Sequence, residues 1–259
     1  MGRPRGPEWG AHKSVGLFTW LWFVFRSTII MLVVDNPLSW KLGFRGAVNK
    51  FDDIEGPYFV QGAPVRQVGD GQAVLASKDH LDKFDPFLIV LEVKDTKGEP
   101  VRHTMIDTWQ ADGSGVYYFF SWTLRGKMMT DGEGRVELLT VRPGEYLNRA
   151  SHNHLRIYPS DNAHRQMTTQ MYICDGNNPA FMDQDSINMW RPRPDRQVVS
   201  CWAVDDSKEG KTYHGYPKLP ADDVDMLDAI SRWNAKLAEQ GVQKKLMSVG
   251  RHQIQITAH

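Results

Sequence analysis

A compact apolar run from Phe87 to Val93 is the feature that most limits what this chain can fold into. The turn sequence Asp95-Thr96-Lys97-Gly98 closes the run, and this combination is typical of a buried β-strand. A second strand is predicted from Arg135 to Val141, directly after the turn-rich sequence Thr130-Asp131-Gly132-Glu133-Gly134. Both segments indicate a fold made mainly of strands joined by tight turns.

Further short strands are predicted at similar intervals, from His152 to Tyr158, from Gln170 to Cys174 and from Gln197 to Val204. Many short strands separated by turns favour a β-sandwich, in which the loops carry functional side chains. We therefore predict a mainly β fold, with a β-sandwich domain over residues 45–218. The flanking segments are predicted to contribute one helix each.

The N-terminal segment, residues 1–44, contains an apolar stretch at residues 15–34 that approaches the length of a membrane span. Arg3, Arg5 and Lys13 precede it, but Arg26 lies in its middle, where a charge costs about 2.5–3.5 kcal/mol on insertion. No small-residue cleavage site follows the first apolar run, as a secretory signal would require. We predict a buried or dimer-forming helix, with a membrane anchor or a signal sequence as the less favoured alternatives.

The C-terminal segment, residues 219–259, contains the second predicted helix. Asp222 is a candidate N-cap and Gly241 can end the helix. Between them, apolar residues recur at helical spacing, at Met226, Ile230, Trp233 and Leu237. This stripe predicts packing against the domain. The last residues, Arg251 to Ala258, fit either an edge strand or a loose tail.

Charge and cysteine content exclude several classes of partner. The chain has 31 basic and 31 acidic residues, so its overall field does not favour nucleic acid. Two cysteines, Cys174 and Cys201, are an ordinary number for a cytoplasmic chain of 259 residues. A cytoplasmic location is therefore predicted, with membrane association or secretion through the apolar N-terminus as the alternative. No motif of a redox dithiol, a nucleotide-binding loop or a serine hydrolase is present.

The stretch from Tyr146 to His154 places a phenol, a guanidinium and two imidazoles within nine residues. On a strand, side chains two residues apart leave the same face, so His152 and His154 can converge on one metal ion. A hard, highly charged cation accepts phenolate oxygen, which lets Tyr146 bind as an anion. Upstream, a glycine-bracketed turn carries Tyr117 and can aim a second phenol inward. A His-x-His pair alone is more typical of a polar face or a zinc site.

Six motifs occur in a fixed order along residues 54–175. They are Ile54-Glu55-Gly56-Pro57-Tyr58-Phe59-Val60, Trp109-Gln110-Ala111-Asp112-Gly113-Ser114-Gly115-Val116-Tyr117, Leu124-Arg125-Gly126 with Thr130-Asp131-Gly132-Glu133-Gly134, Pro143-Gly144-Glu145-Tyr146, Arg149-Ala150-Ser151-His152-Asn153-His154 and Met167-Thr168-Thr169-Gln170. This series resembles the intradiol ring-cleavage dioxygenases. Gln110 departs from the pattern, because many relatives have histidine there. The short interval between Tyr146 and His152 resembles the compact branch of the family.

The resemblance implies a non-haem Fe(III) cofactor and four iron ligands, namely Tyr117, Tyr146, His152 and His154. It implies that Arg149 is the cation beside the bound substrate and that Gln170 is a polar neighbour of the site. The implied reaction cleaves a catechol-type ring between its two hydroxyl-bearing carbons with both atoms of O2, giving a muconate-type diacid. Tyr146 would leave the metal when substrate binds. Homodimers are common among such relatives, so a homodimer is expected.

Two other functions stay open on the residues alone. One is a catalytically inactive β-sandwich binding module with a vestigial metal site. The other is a zinc hydrolase that uses His152 and His154 with a carboxylate, although no His-Glu-x-x-His motif is present. Arg149 also has a plainer interpretation, as a surface cation paired with Glu145. The identity of the metal distinguishes the three functions.

The expected partners are O2 and a small aromatic diol. Catechol, hydroxyquinol, protocatechuate and larger polyketide-derived catechols all fit the sequence. Tyr58, beside the Glu-Gly-Pro motif, is the candidate residue for the wall of the substrate pocket.

Overall fold

The computed structural model describes residues 9, 13–36, 38–39, 51–188, 197–204 and 213–259. Two features of the sequence prediction lie outside the described residues. They are the basic residues Arg3 and Arg5, and the boundary between residues 44 and 45.

The described residues form ten strands and three α-helices. The strands are β1 (Gln67–Gly69), β2 (Gln72–Val74), β3 (Pro86–Lys94), β4 (Met105–Gln110), β5 (Arg125–Met129), β6 (Arg135–Val141), β7 (His152–Tyr158), β8 (Met167–Tyr172), β9 (Ser200–Ala203) and β10 (Ser248–Gln255). The helices are α1 (Leu17–Ile29), α2 (Lys78–Lys83) and α3 (Val224–Glu239). One sheet has the strand order β1-β2-β6-β3-β10-β9 and the other has the order β5-β4-β7-β8. The two sheets share an apolar core, which confirms the predicted β-sandwich.

Strand β3 lies in the interior of the larger sheet, between β6 and β10. Successive side chains of a strand point to opposite faces, so β3 contributes to two separate cores. Ile89 and Leu91 enter the core between the sheets, and Leu88 and Val90 enter a second core on the outer face. Burial on both faces explains why this strand is a nearly continuous apolar run and not an alternating one.

Helix α3 covers the outer face of the larger sheet. Its N-cap is Asp223, whose carboxylate accepts a hydrogen bond from the backbone N–H of Met226 at 3.2 Å, so the predicted cap Asp222 is one residue too early. Either aspartate suits an N-cap, and the packing of the apolar stripe on the sheet selects the second. Gly241 follows the helix at a φ of +73°, as predicted. Trp233 is buried, and its Nε1 donates to Glu137 at 2.7 Å, which confirms its packing role.

The C-terminal residues form strand β10, so the alternative of a loose tail is wrong for residues 251–255. Ser248 to Arg251 lie between β3 and β9, whereas His252 to Gln255 pair with β3 alone, as an edge strand does. Strand β10 pairs in parallel with β3 and antiparallel with β9. Its partner β3 is far away in sequence, and a local pattern carries no information about such pairing. The strands predicted at residues 170–174 and 197–204 are present as β8 and β9, with shifted ends.

Helix α1 continues as a π-helical turn, and the combined helix Leu17–Val34 is long and apolar enough to cross a membrane by length and composition. Only Phe23 and Ser27 of α1 are buried, so the prediction of a buried helix is wrong for contacts within this chain. One side of α1 meets the domain, and large apolar side chains occupy the other, including Leu17, Phe18, Leu21, Trp22, Phe25 and Ile29. A dimer contact, a membrane contact and a cytoplasmic location all stay predictions.

Asp107 is a buried carboxylic acid in the middle of the smaller sheet. It lies opposite Lys127 on β5 and Arg156 on β7. Burial raises the pKa of Asp107 to about 7, although these cations act in the opposite direction. The unfolded carboxyl group loses its proton near pH 4 and the folded one near pH 7. Its contribution to stability is therefore present below pH 4 and is lost as the pH rises to about 7.

We expect Asp107→Asn to remove this pH dependence, because a neutral amide pays no ionisation penalty on burial. The free energy of unfolding at pH 8 should rise relative to the unchanged protein by a few kcal/mol, with little difference at pH 4. Urea unfolding at pH 4, 6 and 8 measures the effect. Asp183→Asn changes an exposed carboxylate and serves as the control. If the free energy of unfolding of Asp107→Asn still falls with pH between pH 4 and 7 as it does in the unchanged protein, another group is responsible.

Candidate metal centre

Strand β7 carries the two histidines of the candidate site. The Nε2 atoms of His152 and His154 lie 3.1 Å apart, on the common face that the strand period predicts. His152 is fixed by its Nδ1 atom, which donates to the carbonyl oxygen of Ala150 at 2.5 Å, so its Nε2 is the lone-pair nitrogen. Trp109 on β4 stacks on His154, with ring centroids 4.9 Å apart and planes within 7°. His152 is thus held through the ring nitrogen that faces away from His154, and His154 is held by the indole stacked on its face.

Tyr146 reaches the histidines from the loop after β6. Its hydroxyl oxygen lies 3.4 Å from Nε2 of His152. A tight turn follows, in which the N–H of Arg149 donates to the carbonyl of Tyr146 at 2.8 Å. Leu147 and Asn148 at its centre have φ values of 45° and 59°, a pair typical of a type I′ turn. The turn places Tyr146 and Arg149 at the same end of β7.

Tyr117 arrives from the turn after β4. Asp112 shapes this turn, because its Oδ1 accepts hydrogen bonds from two backbone N–H groups at 2.8 and 3.1 Å. Gly115 has a φ of +80°, and a Cβ there would lie 2.4 Å from the carbonyl oxygen of Glu145. Only glycine permits this close approach between the two loops. The rings of Tyr117 and Tyr146 consequently lie 5.3 Å apart, edge to face.

Burial controls the ionisation of both phenols. It raises the pKa of Tyr117 well above 10, and the nearby Tyr146 adds to this shift. Burial also raises the pKa of Tyr146, against the opposing effect of Arg149. Both side chains are neutral at neutral pH in the absence of a neighbouring cation, and a bound cation would favour their ionised forms.

The donor set of this site fits a hard metal ion. The buried hydroxyl of Tyr117 makes no hydrogen bond of ordinary geometry within the described chain, although the Tyr146 hydroxyl lies close enough to interact with it. Burial of such a hydroxyl is costly unless another group lies beside it. Among the same residues, no three histidine, cysteine or carboxylate side chains converge. A metal held here would therefore take phenolate as well as imidazole ligands. Such a set suits ferric iron better than zinc, which favours nitrogen, sulfur and carboxylate oxygen.

Arg149 is a buried cation, so its interpretation as a surface partner of Glu145 is wrong. Its Nε atom lies 3.0 and 3.1 Å from the two carboxylate oxygens of Asp185, and its Nη2 donates to Oε1 of Gln170 at 2.9 Å. Burial acts to raise the pKa of Asp185, but Arg149 and three backbone N–H groups more than offset it, and the pKa lies below its usual value. Arg149 is thus held rigidly beside the candidate ligands.

Gln170 lies next to the site on β8, directly across from His154 in the β7–β8 pair. Its Nε2 donates to the carbonyl oxygen of Ile54 at 2.9 Å, while its Oε1 accepts from Arg149. Gln170 therefore links Arg149 to the segment that carries the Glu-Gly-Pro motif.

Tyr58 lies beside the candidate ligands, where the sequence placed the pocket wall. Its ring centroid is 4.5 Å from that of Tyr117 and 6.2 Å from that of Tyr146. The carbonyl oxygen of Tyr58 accepts a hydrogen bond from the fully buried Arg125, whose pKa burial lowers to about 10. In the sequence, Arg125 is distinguished only by its place in the Leu124-Arg125-Gly126 motif. The structure gives it a role in holding the wall of the site.

Gln110 points away from the candidate ligands. Its Oε1 accepts hydrogen bonds from Asn153 at 2.6 Å and Thr140 at 2.8 Å, and its Nε2 donates to the carbonyl of Val141 at 2.9 Å. These bonds join β4, β6 and β7 on the other face of the smaller sheet. The departure from histidine at this position leaves all four candidate ligands in place.

The structure brings together every side chain that the sequence assigned to the site, and adds three that it missed. Asp185, Tyr172 and Asp53 lie behind Arg149 and Gln170, and the hydroxyl of Tyr172 donates to Asp53 at 2.9 Å. None of the three belongs to a local motif with the ligands. The one available signal was a tyrosine in the otherwise apolar end of β8. The chemical roles of the site residues stay predictions.

Comparisons with known proteins place the chain among dioxygenases. A family model described as "Dioxygenase" matches residues 54–193, just over half of the chain. The chain is 27% identical to a chlorocatechol 1,2-dioxygenase of Rhodococcus opacus, over 51% of this chain and 58% of that protein. It is 29% identical to a protocatechuate 3,4-dioxygenase beta chain of Burkholderia cepacia, over 46% of this chain and 56% of that one. The chain thus spans a little over half the length of these curated relatives.

The fold is also similar to that of a solved structure. Catechol 1,2-dioxygenase of Acinetobacter radioresistens matches with a TM-score of 0.60 and 22% sequence identity, over 93% of this chain and 76% of that one. This likeness supports the sandwich architecture.

Proposed function

This chain belongs to the intradiol ring-cleavage dioxygenase family, and from that premise we propose that it is a non-haem ferric enzyme acting on a catechol-type diol. The observation that carries the proposal is the convergence of two imidazoles and two phenols in one site, with His152 Nε2 within 3.4 Å of both His154 Nε2 and the Tyr146 hydroxyl. The proposed reaction inserts both atoms of O2 and breaks the bond between the hydroxyl-bearing carbons. The product is a muconate-type diacid.

The residues that would hold the metal are Tyr117, Tyr146, His152 and His154. Ferric iron, when bound, supplies a Lewis acid that binds the diol oxygens and makes the ring reactive toward O2. Ala150 and Trp109 keep the two imidazoles oriented before anything binds. Because both rings are already oriented, less conformational entropy is lost when the site assembles around a metal.

Tyr146 is the candidate ligand best suited to leave. It is half-buried on a surface turn, whereas Tyr117 is only 7% exposed. A displaced phenolate can accept the proton of a substrate hydroxyl group, and the raised pKa of Tyr146 makes its oxygen a good proton acceptor. Arg149 lies close enough to stabilise negative charge on the substrate oxygen.

We expect Tyr146→Phe to retain iron while turnover falls by about 100-fold or more, because a proton acceptor contributes about that much to a rate. The visible absorption band should shift, because one of two phenolate ligands is lost. Iron content, the visible spectrum and kcat are measured on the same sample. Tyr118→Phe is the matched control, since the Tyr118 hydroxyl bonds to Asp112 outside the donor set. A visible band unchanged in Tyr146→Phe would contradict the ligand assignment.

A first test of the proposed function combines metal analysis with a visible spectrum, before and after catechol is added without oxygen. Iron with a broad band that moves on adding catechol is the expected result. Catechol, hydroxyquinol, protocatechuate and larger catechols are then each tested with 18O2, and both labelled atoms should enter one diacid product. A colourless protein that cannot be reconstituted with iron would favour the alternative, an inactive binding module.

A further inference from the structure

We propose that Arg26, on the apolar helix α1, is a positioning residue for the wall of the metal site. It acts through residues 53–59, here called the wall segment, which lie between α1 and the candidate ligands. The relevance to catalysis rests on the proposed function, but the contacts themselves do not. Arg26 is also the one charged residue within Leu17–Val34, so its inward contact gives a physical reason for a charge in that apolar stretch.

The wall segment meets His154 in two ways. Gly56 has a φ of +71°, and a Cβ there would lie 3.3 Å from Cε1 of His154, so the backbone packs directly on the imidazole. Phe59 packs against Trp109 with ring centroids 4.9 Å apart, and Trp109 in turn stacks on His154. A displacement of the segment therefore changes the surroundings of this histidine.

The wall segment also touches the rest of the site. The carbonyl oxygen of Ile54 accepts the hydrogen bond of Gln170, which holds Arg149 with its other end. Tyr58 places its ring against Tyr117. None of the four candidate ligands belongs to the segment. Its position should consequently affect the space available to substrate more than the binding of the metal.

Helix α1 holds the wall segment from the opposite side. The guanidinium of Arg26 donates two hydrogen bonds to the carboxylate of Glu55, and the Nη2–Oε2 distance is 2.8 Å. It also lies 5.0 Å from the ring centroid of Phe59. At the end of the π-helical turn, Asp35 accepts a hydrogen bond from the N–H of Gly56 at 2.8 Å. Glu55 is only 4% exposed, so this paired contact is largely shielded from water.

The helix does not depend on Arg26 for its own attachment. Phe23 stacks on Phe119 at 5.8 Å, and Trp20 stacks on Phe120 at 5.4 Å. Glu55 keeps a second cation, Arg156, at 3.7 Å. The Arg26→Met protein should therefore fold with α1 still packed on the domain. The wall segment loses the two hydrogen bonds that the Arg26 guanidinium donates to Glu55.

The test compares four variants of the full chain by amide hydrogen exchange and by kinetics with catechol. In Arg26→Met, exchange of residues 53–59 should become about tenfold faster, and KM should rise about tenfold with kcat within about threefold. Glu55→Gln removes the charge and one of the two acceptor oxygens of the same contact and should act in the same direction. Arg26→Lys keeps the positive charge but lacks the paired N–H donors of a guanidinium. Its exchange rate and KM should lie between those of Arg26→Met and those of the unaltered protein. Arg251→Met is the matched control, because it removes an arginine–aspartate pair with a 3.1 Å contact at the cap of α3.

Three results would overturn the proposal. They are unchanged exchange at residues 53–59 in both Arg26→Met and Glu55→Gln, an equal change in Arg251→Met, and faster exchange with an unchanged KM. A different pattern separates this proposal from the proposed function. If exchange rises as expected but the unaltered protein turns over no diol, the ring-cleavage assignment fails while the restraint by Arg26 stands.

Discussion

His154→Ala is expected to purify without iron and without ring-cleaving activity. The side chain is about 1% exposed, and its Nε2 faces the Nε2 of His152 at 3.1 Å. Alanine removes one of four donors and leaves a space beneath the ring of Trp109. Substitution of a residue that only supports a ligand typically lowers metal affinity by about 10- to 100-fold. Loss of a ligand itself should therefore lower the affinity by about 100-fold or more. Metal analysis and the visible spectrum of the purified protein measure the loss.

A matched histidine separates loss of the site from general damage. His164 bonds to Asp161 at 2.9 Å in an exposed loop, away from the candidate ligands. His164→Ala should keep its iron, its visible band and its turnover. Circular dichroism of both variants shows whether the fold is intact. Iron and activity retained in a folded His154→Ala would remove this residue from the ligand set.

The part of the site that the sequence predicts is the part encoded locally. His152 and His154 share a face because strand side chains alternate, and Tyr146 and Arg149 precede them by a few residues. The β3 strand was predictable for a similar reason, since burial on both faces requires a continuous apolar run. Such features depend on backbone geometry over a few residues. A single sequence contains that information.

The parts that the sequence does not predict depend on contacts between distant segments. Asp185 pairs with Arg149 from 36 residues away, and Arg26 reaches Glu55 across 29 residues. The apolar composition of α1 indicates a helix that avoids water, but it does not indicate which of its faces meets the domain. The pairing of β10 with β3 is of the same kind. Each of these depends on the tertiary fold.

Asp185→Asn is expected to have the largest effect on stability. Asp185 is fully buried, and its carboxylate contacts Nε of Arg149 and accepts the N–H of Ala150 at 2.8 Å. An amide would leave the Arg149 guanidinium buried without its counter-charge. Breaking one partner of a buried ion pair costs about 3–5 kcal/mol. Urea unfolding at pH 7 should show a loss of this size, and turnover should fall because Arg149 is no longer fixed beside the candidate ligands.

The cause of that loss can be tested by changing both partners. If an uncompensated charge is responsible, Asp185→Asn combined with Arg149→Met should be more stable than Asp185→Asn alone, because the neutral pair leaves no charge buried. Asp161→Asn is the matched control, since Asp161 also pairs with a basic side chain and caps backbone N–H groups, but in an exposed loop. It should cost about 1 kcal/mol or less. A double variant no more stable than Asp185→Asn would show that the backbone bonds of Asp185, and not its charge, hold this side of the site together.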